Sequence, residues 1–170
     1  MDFTELTNKR YSVRKFLPIP LTSGEIEAIL AVGANAPTAC NKQPQRIYVV
    51  KSPRALAAVR ECTKCHFDAP VLFVVCYDEE VCWKRDYDGQ PYGAVDATIV
   101  LTQMMLKVTE MGLGSTFVAW FDPVKLRHAL NLPDHLQPVG ILPVGHPSPD
   151  ARPASFHTAR RGIAAITTEL

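Results

Sequence analysis

No stretch of the sequence reaches the roughly 18 consecutive apolar residues that a membrane-spanning helix needs, and the opening MDFTELTNKR holds no apolar signal-peptide core. An excess of one charge sign is missing too: 18 lysines and arginines face 17 aspartates and glutamates, a net charge of +1. That balance gives no reason to expect nucleic acid as a partner. A basic cluster here is therefore local and suits a small anionic ligand. No Walker A sequence is present. The Gly-rich stretch GLGS at 112–115 follows a helical pattern and opens a strand-like one, the reverse of the order a Rossmann fingerprint requires. Its simpler role is a helix C-cap with Gly112 left-handed. Five cysteines, an odd number with no export signal, predict free thiols in a reducing cytoplasm. There is no internal repeat and no linker.

What is present suits one domain of 170 residues, about half of them apolar, enough for a substantial core. DFTELTNKR predicts a short helix, halted by LPIP at 17–20. TSGEIEAILAVGANAP is helical: Thr22 or Ser23 caps it, Glu25 supports a capping box, and Ile26, Ile29, Leu30 and Gly33 form the inner stripe. PTACNKQPQ is a polar loop, RIYVVK a strand, and SPRALAAVREC a short helix with Ser52 as cap and Pro53 at its first position. APVLFVVCYD at 69–78, apolar without a break from Val71 to Val75, is a buried central strand. From Tyr92 to Met111 the pattern is helical and apolar nearly all round, which predicts burial on several sides, one of them under a second subunit. GSTFVAWF predicts a strand, DPVKLRHALN a capped helix and LQPVGILPVGHP another strand. Helices outnumber strands and alternate with them irregularly, which fits an α+β layered domain. The tail shows no core-forming period until GIAAIT, and is expected to leave the globule and pack on a partner.

Several stretches carry chemistry. CTKCH at 62–66 matches the c-type haem attachment pattern, and Cys62, Cys65 and His66 are also a partial zinc set. Haem attachment of that kind occurs outside the cytoplasm, and a structural zinc site needs four ligands, which no second CxxC supplies. Free thiols at a helix end are the plainer reading. RYSVRKF at 10–16 alternates, and an extended segment projects alternate residues to one side. Arg10, Ser12 and Arg14 then share a face, two guanidinium groups and a hydroxyl that suit phosphate. The plainer alternative is a solvated basic strand with Val13 and Phe16 tucked in. In APTACNKQPQ, Thr38, Asn41 and Gln43 offer groups able to read the edge of a heteroaromatic ring, or simply form a turn. HTARRG adds Arg160 and Arg161, which complete a phosphate site or are surface charge. EEVCWKRDYDGQPYG is charged and aromatic and reads as a mobile excursion.

In their order and spacing, RYSVRKF, APTACNKQP, APVLFVVCYD, DATIVLTQMMLKVTEMGLGSTFVAWFDP, LPVGHP and the basic tail resemble the nitroreductase family of FMN-dependent oxidoreductases over nearly the whole chain. The resemblance implies a single α+β domain over residues 1–170, with an antiparallel-rich sheet flanked by helices. It also implies an intertwined homodimer with two FMN sites at the interface, residues from about 148 to 170 packing on the partner. Arg10 and Ser12, with Tyr11 between them, match residues that hold the FMN phosphate. Arg14 matches the basic residue that reaches the pyrimidine edge of the flavin. Pro37, Thr38, Ala39 and Asn41 match the loop that the second subunit lays beside the ring, and Arg160 or Arg161 finishes the phosphate clamp. VAWFD aligns with a segment whose backbone N–H approaches flavin N5, which brings in Val118, Ala119 and Trp120. The chain departs from the family pattern at Ala119 and Trp120, where Gly is frequent, at Gln45, where many relatives carry Trp, and at Ala39, which replaces a frequent Ser.

The activity implied is hydride transfer from NADH or NADPH through flavin N5 to a nitroaromatic, quinone or similar small-molecule acceptor, in a ping-pong cycle. It needs no side-chain acid or base, while Arg14 stabilises the charge that develops at N1 and O2. The excursion is expected beside the pocket, where Trp83, Tyr87 and Tyr92 would stack on a planar acceptor. Two alternatives stand: a family member with other flavin chemistry, such as reductive dehalogenation or flavin cleavage, and a non-enzymatic FMN- or metal-binding module using Cys62, Cys65 and His66.

Overall fold

The computed structural model describes residues 1–170. Its elements are α1 (Phe3–Lys9), α2 (Ser23–Ala34), β1 (Gln45–Val50), α3 (Pro53–Arg60), β2 (Val71–Asp78), α4 (Gly93–Glu110), β3 (Gly114–Ser115), α5 (Pro123–Leu130) and β4 (Leu136–Gly145), with 3-10 turns at Ala39–Asn41 and Ile163–Ala165. Helices begin where capping chemistry lies. Thr22 and Glu25 form a reciprocal capping box on α2, Ser52 accepts from the Ala55 N–H ahead of Pro53, and Asp122 accepts from the N–H groups of Val124 and Lys125. Gly112, at φ +75°, closes the end of α4.

The four strands form one antiparallel sheet in the order β1-β2-β4-β3. Successive side chains of a strand point to opposite faces, and β2 is covered on both, which is why its sequence is apolar without alternation. Phe73 and Val75 join Ile29 of α2 with Leu101 and Met104 of α4. Leu72 and Val74 join Val59 of α3 and Leu126 of α5 on the other side. Helices on both faces of an antiparallel sheet give the α+β layering that the sequence predicts. α4 starts hard against β2: a Cβ on Gly93 would lie 2.0 Å from the Tyr77 ring, so the approach requires glycine.

Two expectations are corrected. GSTFVAWF is a strand only at Gly114–Ser115, after which Val118 makes a single bridge to Ile141 and the chain leaves the sheet. The break falls at Thr116, which this register sets opposite Pro143, a residue with no N–H for the ladder; beyond Val118 the Asp122 N–H donates to the Cys62 carbonyl (2.9 Å). The stretch after β2 is a pinned turn instead of a free excursion. Lys84 bridges Pro91, the Arg85 N–H donates to the Gln90 carbonyl (3.0 Å), and Arg85 pairs with Asp88. At the C-terminus Ala151 is the last buried residue, and 158–170 are exposed throughout. No helix is long and apolar enough to cross a membrane.

Candidate functional site

The segment that follows α1 is built as an edge with one inward residue. Val13 is 3% exposed, its N–H donates to the Ser115 carbonyl (2.9 Å), and a Cβ on Gly114 would lie 2.8 Å from its methyls. Beside the buried Val13, Ser12 is half-buried and Arg14 exposed; Lys15, which strict alternation would put on the side of Val13, is exposed as well. Arg14 is exposed and lies back along its own segment, Nη1 donating to the Ser12 carbonyl (3.2 Å). Phe16 is half-buried and bridges Pro147.

The chain after β4 returns along this segment. The Leu17 N–H donates to the His146 carbonyl (2.8 Å), the Ser148 N–H to the Lys15 carbonyl (3.0 Å), and the Tyr11 ring meets His157 edge-on at 6.2 Å. Arg160 and Arg161 come three and four residues after His157, in the exposed tail. None of Arg10, Arg14, Arg160 and Arg161 pairs with a carboxylate; Asp150, the acid on the return, is taken by Lys15 (2.5 Å). Hydrogen bonds from the Lys15 ammonium and the Ser148 hydroxyl hold the Asp150 carboxyl down at about 2. That acid therefore stays ionised and engaged, and the guanidinium groups remain available to an outside anion.

The 37–43 loop is a tight turn in an uncommon backbone conformation. Cys40, Asn41 and Gln43 all sit near φ +50°, a region that costs a non-glycine residue about 1–3 kcal/mol. The turn is closed by Asn41 N–H to the Thr38 carbonyl (3.0 Å), Lys42 N–H to the Ala39 carbonyl (3.1 Å) and Gln43 N–H to Thr38 Oγ1 (3.0 Å). Its tie to the core is the Ala39 N–H, which donates to Asp96 Oδ1 (2.9 Å). Asp96 is 2% exposed at the start of α4, and its Oδ2 is buried with no partner. No hydrogen bond joins this loop to the 10–17 segment or to 118–122.

The 118–122 segment is held at its ends and, between them, at the Trp120 carbonyl, which accepts from Thr63 Oγ1 (2.6 Å). Val118 and Ile141 exchange both backbone hydrogen bonds at 2.9 Å, and Asp122 donates to Cys62. The N–H groups of Ala119, Trp120 and Phe121 donate to nothing in the chain, and Trp120 is 72% exposed. A cavity of about 480 Å³ lies between this segment and the 60–64 turn, lined by Arg60, Lys64, Trp120, Phe121 and Lys125 among others.

The CTKCH stretch spends its groups on the protein. Cys62 is buried, its Sγ donates to the Ala58 carbonyl (3.4 Å), and burial, aided by Asp122, pushes its thiol up, away from the thiolate a metal requires. His66 Nδ1 accepts from the Asp68 N–H (3.0 Å). No three His, Cys, Asp or Glu side chains cluster closely enough to hold a metal ion. In the turn after β2, Trp83 and Tyr92 pack edge-to-face at 5.2 Å, with Arg85 over the Tyr92 ring and bonded to its hydroxyl (2.6 Å). Tyr87 stands apart, 97% exposed at the tip.

Two polar residues with structural purchase escaped the sequence reading. Asp96 had a signal, a lone acid in a run of apolar helix positions, since buried acids are rare and specific. Thr63 carries no signal of its own beside the two cysteines of its motif.

Comparison with known proteins adds the following. The sequence profile of the nitroreductase family matches residues 7–70 and 61–146. A nitroreductase family protein of Clostridium difficile, solved as a crystal structure, is 34% identical, with 99% of this chain and 98% of that one covered and a TM-score of 0.93. A Thermus thermophilus protein named NADH dehydrogenase is 28% identical, covering 91% of each chain. A protein of Exiguobacterium sibiricum described as a nitroreductase, solved in complex with FMN, shares the fold at 19% identity and a TM-score of 0.86, over 100% of this chain and 98% of that one.

Proposed function

The chain belongs to the nitroreductase family, and on that premise we propose that it is an NAD(P)H-dependent oxidoreductase that carries FMN. The observation that carries this reading is the return of residues 146–157 along residues 11–17, which sets the segment holding Arg14, with Arg10 just before it, beside the one that leads on to Arg160 and Arg161; none of these four guanidinium groups has a carboxylate partner. A phosphate dianion supplies the charge they lack. Arg10 and Ser12, with Tyr11 between them, are assigned to the phosphate, together with Arg160 or Arg161. Arg14, whose only bond is to its own segment, is free to swing to the pyrimidine edge of the ring and stabilise charge there. The unspent N–H row of Ala119, Trp120 and Phe121, following Val118, is assigned to the N5 side. Bound there, FMN would supply the hydride-transfer chemistry that links reduced nicotinamide to the acceptor. The residues around it bind and orient; no side-chain acid or base is required of them.

The chain is proposed to act as a homodimer, with Pro37, Thr38, Ala39 and Asn41 offered to the flavin of the partner. Two observations support this. The loop is tied to Asp96 yet bonded to neither of the other two site segments, and the tail exposes Phe156, Ile163 and Ile166, apolar groups that a partner would cover. The acceptor is proposed to be a nitroaromatic, quinone or similar planar molecule, with the Trp83–Tyr92 pair at its border and Tyr87 beyond. Trp83→Ala should then alter the ranking of acceptors; an unchanged ranking removes the pair from the pocket.

The test is the absorption spectrum and cofactor content of the purified protein, followed by NADH and NADPH oxidation with a panel of acceptors. Arg10→Ala should weaken FMN binding by about 1.5–3 kcal/mol, the worth of a hydrogen bond to a charged group, or roughly 10- to 150-fold in Kd. A colourless protein that takes up no FMN, or unchanged FMN retention in Arg10→Ala, counts against the assignment.

A further inference from the structure

Thr63 is 7% exposed, and its hydroxyl is fully engaged. Oγ1 donates to the Trp120 carbonyl at 2.6 Å and accepts from the Cys65 N–H at 3.0 Å. A hydroxyl used in both directions has its rotor fixed. One residue away, the Cys62 carbonyl accepts from the Asp122 N–H at 2.9 Å. The 62–66 turn therefore grips the 120–122 stretch at two successive peptide units, one by its carbonyl and one by its N–H.

The consequence follows from peptide geometry. A trans peptide is planar, with its C=O and N–H pointing in opposite directions. Holding the Trp120 carbonyl against Thr63 turns the Phe121 N–H away from the 62–66 turn. Between the Val118–Ile141 bridge and the Asp122–Cys62 bond, the Thr63 hydroxyl is the one hydrogen-bonded restraint on the segment. Without it, φ and ψ on either side of the 120–121 peptide are free to rotate that plane.

We propose that Thr63 is a positioning residue, and that the CTKCH turn serves to fix the Phe121 N–H, the last donor of the 119–121 row, through the Trp120 carbonyl. The inference rests on the reading of that row as the surface facing the N5 side of FMN. It gives the CTKCH motif a role that uses its threonine and backbone, with the two thiols left as packing groups.

The test uses the full chain loaded with FMN and two variants. Thr63→Val keeps the shape but strips the hydroxyl, leaving the Trp120 carbonyl and the Cys65 N–H without their partner; Thr63→Ser keeps the hydroxyl. The Val variant should retain FMN, since no phosphate contact is touched. Its flavin reduction equilibrium, read from the midpoint potential, should shift by about 2- to 10-fold, the range a neutral hydrogen bond spans. The Ser variant should restore the wild-type potential. In the flavin-free chain, amide exchange at Asp122 should speed up in the Val variant and stay slow in the Ser variant, because the two grips act together. A folded, FMN-loaded Val variant with a wild-type potential overturns the inference and leaves the proposed function standing. A wild-type chain that takes up no FMN overturns both. If the Val variant does not fold, the Ser variant decides: a potential displaced from wild type in a protein that keeps the hydroxyl would sink the proposal.

Discussion

Asp96 allows the sharpest test of how the 37–43 loop is held. Its Oδ1 accepts from the Ala39 N–H at 2.9 Å while Oδ2 is buried without a partner. Three residues near φ +50° cost the loop about 3–9 kcal/mol in all. The loop's internal hydrogen bonds, three at about 0.5–1.5 kcal/mol each, return roughly 1.5–4.5. The Asp96 anchor, a bond to a charged group worth about 1.5–3 kcal/mol, therefore decides whether the loop stays closed. Asp96→Ala removes it but also removes the unpartnered Oδ2, whose burial costs about 1–3 kcal/mol. The two effects nearly cancel in global stability, so the change should concentrate in the loop. Native-state hydrogen exchange should show the amides of Ala39, Asn41 and Lys42 opening roughly 10- to 150-fold more often, with little movement in Tm. Asp96→Asn keeps an acceptor at Oδ1 and should speed exchange no more than about 10-fold. Loop amides in Asp96→Ala that exchange at the wild-type rate would refute the anchoring argument, and a large fall in Tm would refute the cancellation.

Two further outcomes follow from the geometry. Gly93→Ala puts a methyl 2.0 Å from the Tyr77 ring; such overpacking costs about 1–3 kcal/mol, a drop of roughly 2–12 °C in Tm for a chain of this size. Tyr77→Leu in the same chain should recover part of it, and additive losses in the double variant would show that the clash is not the cause. Asp150, held at about 2 against an ordinary 3.8, has a depressed folded-state value, so its contribution to stability is present above pH 3.8 and lost as pH falls toward 2. Asp150→Asn should flatten that part of an acid-unfolding profile, and an unchanged profile between pH 4 and pH 2 would refute the role.

The layering was legible because burial imposes patterns on composition. A strand covered on both faces has no solvent side, so Val71–Val75 runs apolar without alternation, and both helix layers follow from it. Capping was legible for the same local reason: Thr22, Ser52 and Asp122 each bond within three residues of themselves. The extent of β3 was not, because GSTFVAWF has strand propensity throughout and its ladder fails opposite Pro143, a partner set by long-range register that no local pattern encodes.

The same division runs through the site. Alternation in RYSVRKF accounts for the buried Val13 beside the exposed Arg14 and breaks at Lys15, which is exposed and tied to Asp150 across the return. The decisive partners of these segments are long-range, and most are main-chain groups: the Ser115 carbonyl for Val13, the His146 carbonyl for Leu17 and the Cys62 carbonyl for Asp122, with the Thr63 hydroxyl the side-chain exception at Trp120. A main-chain acceptor can be supplied by any residue type, so it leaves no mark on sequence. That is why CTKCH misleads when read by its side chains as a metal or haem motif. Its cysteines are the groups with a recognisable chemistry, whereas the contacts it makes across the fold come from one hydroxyl and one carbonyl. For the same reason Ala119 and Trp120, which depart from the residue types the family favours, need not abolish the segment's role: the groups on offer there are peptide N–H donors, which both substitutions leave intact.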